Sequence, residues 1–134
     1  MDDSIIDFLK DTAPGMLEDI KETLSNENNR RIMEFLSKEQ GGEPHTRIVP
    51  VEKNGFLEPL AYNPVKVDLK KFTSDYISDN LGIGKDDVKK SMIKLSQRAL
   101  ISTFIGENGY YCGLTNLGAQ YVKEVFCRIL PKRI

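Results

Sequence analysis

The amino-acid sequence predicts a mainly α, α+β fold in which two helices joined by a short turn are followed by a β-hairpin. Residues 85–98 carry apolar side chains at helical spacing, directly after a glycine-rich turn at 82–84. Residues 101–114 have the pattern of strand, turn and strand about Glu107-Asn108-Gly109. Because 134 residues suffice for one compact domain, we expect a single domain spanning 1–134.

Residues 1–40 precede this unit and are predicted to form an N-terminal helical extension. Three apolar stripes at helical spacing support this prediction: Ile5, Ile6 and Leu9; Leu17, Ile20 and Leu24; and Ile32, Phe35 and Leu36. Pro14 suits the first turn of the second helix, where its missing N–H is not needed. Gly41-Gly42 is expected to end the third helix.

Residues 41–67 break the helical pattern and contain four of the six prolines. Asn54-Gly55 is a strong hairpin signal, because a type I′ turn needs two residues that tolerate positive φ. A hairpin over residues 47–61 about that turn pairs Pro50 with Pro59, whose missing N–H groups would have pointed outward. We therefore expect an inserted two-stranded β-ribbon, with no further strand bonded at either proline.

Residues 68–126 are predicted to hold the helix–turn–helix, the hairpin and a last helix that Thr115 can cap, followed by a tail over 127–134. The first helix is expected over 69–81 and the second over 85–98. The side chains expected in the core are Phe72, Tyr76 and Ile77 from the first helix, and Val88, Met92, Leu95 and Ala99 from the second.

The opposite face of the second helix is polar and basic. It carries Asp86, Lys90, Ile93, Lys94 and Gln97, with Lys89 to one side. Lysines, a glutamine and small polar groups fit a helix that enters a major groove. The order of elements is that of a winged helix-turn-helix, with the β-hairpin as its wing.

Residues 73–101, "TSDYISDNLGIGKDDVKKSMIKLSQRALI", resemble the core of the winged-helix transcriptional regulators, and "LTNLGAQYV" resembles their entry into the last helix. Upstream, "TLSNENNRRIMEFL" resembles the first helix of the arsenic-repressor-type (ArsR) branch. The resemblance implies a DNA-binding regulator that forms a homodimer through its terminal helices. The ribbon departs from the family's short link at this place. No cysteine pair lies on the helices that carry the classical metal sensor's ligands, so we assign no metal residues.

The distribution of charge favours a nucleic-acid partner. Residues 1–65 hold 7 basic and 13 acidic side chains, whereas residues 66–134 hold 12 basic and 7 acidic ones. Uneven solvation charge is the alternative explanation. The residues expected to contact double-stranded DNA are Lys70, Lys71, Lys85, Asp86, Lys89, Lys90, Ile93, Lys94, Gln97 and Asn108.

Three features favour the alternative function, a winged-helix module for protein–protein assembly: the acidic start of the second helix, the uncharged wing and a net charge of only −1. Asp86 and Asp87 stand at the start of the helix, where they either offset the positive end of the helix dipole or, for Asp86, accept from a cytosine amino group. The predicted wing turn carries no Lys or Arg for a minor groove. Ile93 is then either a thymine-methyl contact or a partner contact.

Other classes of function have little support. The sequence offers no nucleophile–base pair and no phosphate-cradling loop, so we expect neither an enzyme nor a cofactor. No apolar run approaches the roughly 20 residues that span a bilayer. The acidic N-terminus lacks the basic start of a signal peptide, and two cysteines form no disulfide framework. We therefore expect a cytoplasmic protein.

Overall fold

The computed structural model describes residues 4–42, 48–50, 65–106 and 109–126. Within these residues the fold is mainly helical with small β-sheets, an α+β fold. Its helices are α1 (Ile5–Thr12), α2 (Pro14–Thr23), α3 (Glu27–Glu39), α4 (Ser74–Leu81), α5 (Lys85–Gln97) and α6 (Asn116–Tyr121). Its strands are β1 (Ile48–Pro50), β2 (Val65–Val67), β3 (Ile101–Gly106) and β4 (Gly109–Leu114). A 3₁₀ turn at Leu69–Phe72 precedes α4, and a π-helical turn at Val122–Phe126 continues α6.

Side-chain caps fix where several of the helices begin. The oxygens of Ser4, Asn26, Thr73 and Thr115 each accept a hydrogen bond from a backbone N–H in the first turn that follows. Pro14 opens α2, as expected. Gly41 and Gly42 both take positive φ after α3, and the Gly42 N–H donates to the Ser37 carbonyl at 2.8 Å, which confirms the predicted helix end.

The core lies between the N-terminal helices α1–α3 and the elements that follow β2. The largest fully buried side chains include Ile20, Ile32, Met33 and Leu36 from the first group, and Phe72, Ile77, Val88, Leu95, Leu100 and Leu114 from the second. Phe35 and Tyr76 pack at the margin of this core, with their ring centroids 6.1 Å apart. The predicted buried stripe is therefore confirmed for Val88, Met92 and Leu95.

Ala99 is a correction to that stripe. We expected its side chain in the core, but it is exposed and its φ is +62°. The helix ends at Gln97, so the helical spacing no longer applies two residues later. The Leu100 N–H donates to the Leu95 carbonyl and the Ala99 N–H to the Ser96 carbonyl, each at 3.0 Å, which is the Schellman arrangement with Ala99 at the left-handed position.

The predicted helix over 69–81 is also interrupted. Thr73 has extended backbone angles, φ −87° and ψ 154°, and separates the 3₁₀ turn from α4. Its hydroxyl accepts from the Tyr76 N–H at 3.2 Å, and its backbone forms a single antiparallel bridge with Tyr111 of β4. Because Thr73 both caps α4 and contacts the hairpin, it cannot continue a helix.

The predicted hairpin over residues 101–114 is confirmed for the residues that the structure describes. Strands β3 and β4 pair antiparallel, with Ile101 opposite Leu114 and Ile105 opposite Tyr110. Residues 107 and 108, including the predicted contact residue Asn108, lie outside the described residues. Gly109 takes φ +112° at the start of β4, which a glycine adopts without strain.

The ribbon prediction is wrong in one respect. Strands β1 and β2 pair in parallel, with Pro50 opposite Val67, whereas we expected no third strand bonded at Pro50 or Pro59. Parallel strands require a crossover of about a dozen residues rather than a tight turn. Among the described strands, β1 is bonded to β2 alone, and a proline is tolerated in a strand where its missing N–H faces away from the partner. The hairpin expected about Asn54-Gly55 lies outside the described residues.

Candidate nucleic-acid interface

The position of α5 is fixed by the turn that follows α4. Gly82 takes φ +69° and its N–H donates to the Ser78 carbonyl at 2.9 Å. The Ser78 hydroxyl donates to the Ile83 carbonyl at 2.6 Å, and the Arg31 guanidinium donates to the Leu81 carbonyl at 2.7 Å. These contacts satisfy carbonyl groups at the end of α4 and in the turn, and the Arg31 contact ties the end of α4 to α3. Helix α5 begins directly after this turn.

The outer face of α5 is exposed, as the sequence predicts. Val88 and Leu95 are fully buried on the opposite side, while Ile93 keeps 57% of its surface exposed. The other predicted contact residues of this helix are all exposed: Lys85, Asp86, Lys89, Lys90, Lys94 and Gln97. One face of α5 therefore offers cations, a carboxylate, an amide and an aliphatic side chain to a partner.

The lysines of the candidate site differ in their surroundings. Lys85 lies 3.5 Å from a carboxylate oxygen of Asp75, and Lys71 lies 3.7 Å from one of Glu39. Within the described part of the chain, Lys90 and Lys94 form no ion pair. Exposed ion pairs contribute about 0–1 kcal/mol, so the paired lysines can change partner at small cost.

Lys70 and Lys71 lie on the 3₁₀ turn before α4 rather than on a long helix. Lys70 is exposed, whereas Lys71 is half-buried beside Glu39 at the end of α3. The structure thus places this predicted pair on a separate element from the lysines of α5. Arg31 and Arg98, which are basic as well, donate instead to the Leu81 carbonyl and to the Thr23 hydroxyl.

Asp86 and Asp87 occupy the first turn of α5, where no side chain caps the helix, because Gly84 is the capping residue. Negative charge there offsets the partial positive charge of the unpaired N–H groups, by about 0.3–1 kcal/mol for each residue. This arrangement supports the dipole interpretation of both aspartates. It also lowers the positive potential at this end of the helix.

An apolar surface adjoins the lysines and is the main feature that sequence analysis missed. Ile105 is 76% exposed and Tyr110 46% exposed on the hairpin, and they form a cross-strand pair. A groove of about 280 Å³ separates the hairpin from α5; we call it the hairpin groove, and it is lined by Lys89, Met92, Ile93, Ser96, Thr103 and Tyr110. The Lys89 ammonium lies 5.7 Å from the centre of the Tyr110 ring, at the edge of the groove.

A sequence signal for this surface did exist. β3 carries apolar side chains at two consecutive positions, Phe104 and Ile105, and these must point to opposite faces of the hairpin. Phe104 stacks on Tyr111 with centroids 5.6 Å apart, which leaves Ile105 on the groove side. A two-stranded hairpin cannot bury both faces, so one apolar face stays exposed.

Comparison with known proteins adds no family. No family model matches the chain, and neither a curated protein nor a solved structure is significantly similar to it.

None of the helices in the described ranges has the length and apolar character to cross a membrane. The same ranges contain no cluster of three or more His, Cys, Asp or Glu side chains suited to a metal ion.

Proposed function

We propose that the chain is a winged helix-turn-helix that binds double-stranded DNA, with α5 in the major groove and the β3–β4 hairpin as its wing. One observation carries the proposal. Lys90 and Lys94 are exposed and form no ion pair within the described residues, on a helix whose opposite face is fixed in the core by Val88 and Leu95. Such a helix presents free cations in one orientation.

The chemistry of the outer face fits the two kinds of contact that DNA offers. Lysines bind phosphate oxygens and set the position on the duplex. Gln97 can form a bidentate contact with adenine, and Ile93 can contact a thymine methyl group. The two aspartates and the uncharged groove side of the hairpin reduce the attraction to phosphates, so we propose a binder of modest affinity.

A titration of random-sequence duplex at two salt concentrations tests the proposal. Each neutralised phosphate contributes about 0.9 to the slope of log affinity against log salt. With the free lysines Lys90 and Lys94 and the loosely held Lys85 and Lys89, we expect a slope between about −2 and −4. No measurable binding at low salt would contradict the proposal.

The exposed apolar groove favours a second candidate function, a protein-docking module. Ile93, Ile105 and Tyr110 together expose more apolar surface beside the lysines than phosphate contacts require. Under this alternative, duplex binding is absent or independent of Lys90 and Lys94. The salt titration therefore separates the two candidates.

The homodimer through terminal helices stays a prediction. The described parts of these helices leave little exposed apolar surface to support it. Such a homodimer needs apolar surface on these helices that the chain's own core does not cover. Leu9 is buried, however, and Ile5, Ile6 and Val125 pack against the chain's own core. The exposed apolar residue that remains on α1 is Phe8.

A further inference from the structure

Among the residues that the structure describes, two exposed apolar surfaces are flanked by opposite charge. The first is the hairpin groove with its margin: Lys89 lines the groove and Lys85 lies one helical turn away from it on α5. Ile105, which is 76% exposed, lies at the margin as the cross-strand partner of the lining residue Tyr110. The second is the α1 face, which we define by Phe8, Asp7 and Asp11. Phe8 is 59% exposed, and the two aspartates also lie one turn apart.

We propose that the hairpin groove binds the α1 face of a second copy of this chain, with Phe8 inserted between α5 and the hairpin. The groove holds about 280 Å³, which is close to the lower limit of roughly 300 Å³ for ligand pockets and so suits a single aromatic side chain. Its lining by Met92, Ile93 and Tyr110 provides apolar and aromatic contacts for a phenyl ring.

Charge complementarity favours the α1 face of a second copy as the occupant of the hairpin groove. Side chains one turn apart on a helix are about 5–6 Å apart, so Asp7 and Asp11 match the spacing of Lys85 and Lys89. The exposed pair of Lys85 with Asp75, at 3.5 Å, is weak enough to exchange its carboxylate. The same complementarity holds over the whole chain, which is acidic over residues 1–65 and basic over 66–134.

A two-fold contact of α1 with α1 is less favourable. It would bring Asp7 and Asp11 of both copies together around the two Phe8 rings, and like charges at close range destabilise a contact. The contact of α1 with the groove places opposite charges around the same ring. Because it joins two different surfaces, it is heterologous and can add further copies at either end.

The contact would also cover Lys89 and Ile93 on the outer face of α5. A chain bound in this way could not present that face to another partner. The proposal does not require DNA binding, and its test contains no DNA, so it can fail while the proposed function holds, or hold while the proposed function fails.

Light scattering on two variants that introduce a charge, Phe8→Asp and Ile105→Asp, tests the proposal. Both positions are exposed, so both variants are expected to fold, and circular dichroism verifies this. We expect the wild-type mass to rise above the 15.2 kDa of one chain with increasing concentration, and to fall as salt is added. Each variant alone should associate at least about tenfold more weakly than the wild type.

The mixture of the two variants is the decisive sample. Phe8→Asp keeps an intact groove and Ile105→Asp keeps an intact α1 face, so an equimolar mixture should form one heterodimer and nothing larger. A mixture that stays monomeric would overturn the proposal. A wild type that stays monomeric at all concentrations would also overturn it. So would an Ile105→Asp variant that associates as strongly as the wild type, because that result indicates a two-fold contact through α1.

Discussion

Asp86 is the residue on which the interpretation of α5 depends most. Because α5 has no side-chain cap at Gly84, the charge of Asp86 should stabilise the helix. Asp86→Asn should lower the free energy of unfolding by about 0.3–1 kcal/mol and raise affinity for every duplex alike. Urea unfolding and duplex titration measure the two effects.

Asp79→Asn is the matched control, since Asp79 is exposed near the end of α4, where a negative charge gives no helix stabilisation. It should not reduce stability. A loss of affinity at one preferred site in Asp86→Asn, with relaxed discrimination at one base pair, would show instead that Asp86 accepts from a cytosine.

Cys112 makes stability depend on pH in the alkaline range. Complete burial raises the pKa of its thiol from 9.0 to about 12. The unfolded chain therefore loses this proton first, and the folded state is destabilised as pH rises above 9.0. Between about pH 8 and about pH 10, Cys112 should cost about 1.4 kcal/mol of stability.

Urea unfolding of the wild type and of Cys112→Ala at both pH values tests this. The variant is less stable at each pH because it leaves a small cavity, but its loss between the two values should be smaller by that amount. Burial raises the pKa of Tyr121 too, and Tyr121 is unchanged in both proteins, so its effect cancels. Equal losses in the two proteins would contradict the burial of the thiol.

At the scale of the element, the ends of α4 and α5 use the same left-handed geometry with different residues. Gly82 has φ +69° and Ala99 has φ +62°. Left-handed backbone costs a residue with a Cβ about 1–2 kcal/mol. Ala99→Gly should therefore stabilise the protein, and Gly82→Ala should destabilise it, each by about 1 kcal/mol.

Thermal unfolding of the two variants provides the measurement, and each serves as the control for the other. A Cβ at Gly82 would meet no atom within 4 Å, so the cost there reflects backbone conformation alone. If Ala99→Gly destabilises the protein, the helix does not end at this position in the way described.

The boundaries of elements could be predicted only where a local signal sets them. Gly41-Gly42 and Gly82 end their helices as expected, because glycine adopts positive φ without strain. Ala99 gave no such signal, and Thr73 leaves the helix because of a bridge to Tyr111, which is distant in sequence. Gly118 was equally unpredictable: a Cβ there would collide with the Leu100 carbonyl, a contact set by how α6 packs.

At the scale of the whole molecule, one carboxylate ties the two ends of the described chain together. Glu124 accepts from the Ser4 hydroxyl at 2.9 Å and from the Ile5 and Ile6 N–H groups at 2.7 and 3.2 Å. The N–H groups of Ile5 and Ile6 are donors in the first turn of α1 that have no partner within the helix. Glu124→Gln should lower the free energy of unfolding by about 1 kcal/mol, because an ionised acceptor binds backbone N–H groups more strongly.

Chemical unfolding of Glu124→Gln is to be compared with that of Glu34→Gln, which alters an exposed residue in the middle of α3. The control should stay within about 0.5 kcal/mol of the wild type. Equal stability of both variants would show that the contact does not hold α1 in solution. This contact, over 120 positions of sequence, had no signal in the sequence.

The sequence predicts which face of α5 is exposed, but it does not predict the groove beside that face. The periodicity of Val88 and Leu95 fixes which side of α5 is buried, so the outer lysines follow from the sequence. The consecutive Phe104 and Ile105 indicate an exposed apolar face on the hairpin, but the groove also depends on where the hairpin packs beside α5, which no local pattern determines. The ion pair of Lys71 with Glu39 depends likewise on packing between separate elements.

The double variant Lys90→Ala/Lys94→Ala shows whether the outer face of α5 binds DNA. Folding should be almost unchanged, because both side chains are exposed. The control is Lys10→Ala/Lys21→Ala, which removes the same charge from exposed positions on α1 and α2. The measurement is the slope of log affinity for duplex against log salt, with all three proteins in parallel. We expect the slope to fall in magnitude by about two for the α5 variant and to stay unchanged for the control. Equal slopes in all three proteins, or no duplex binding by the wild type at low salt, would contradict the proposed DNA binding.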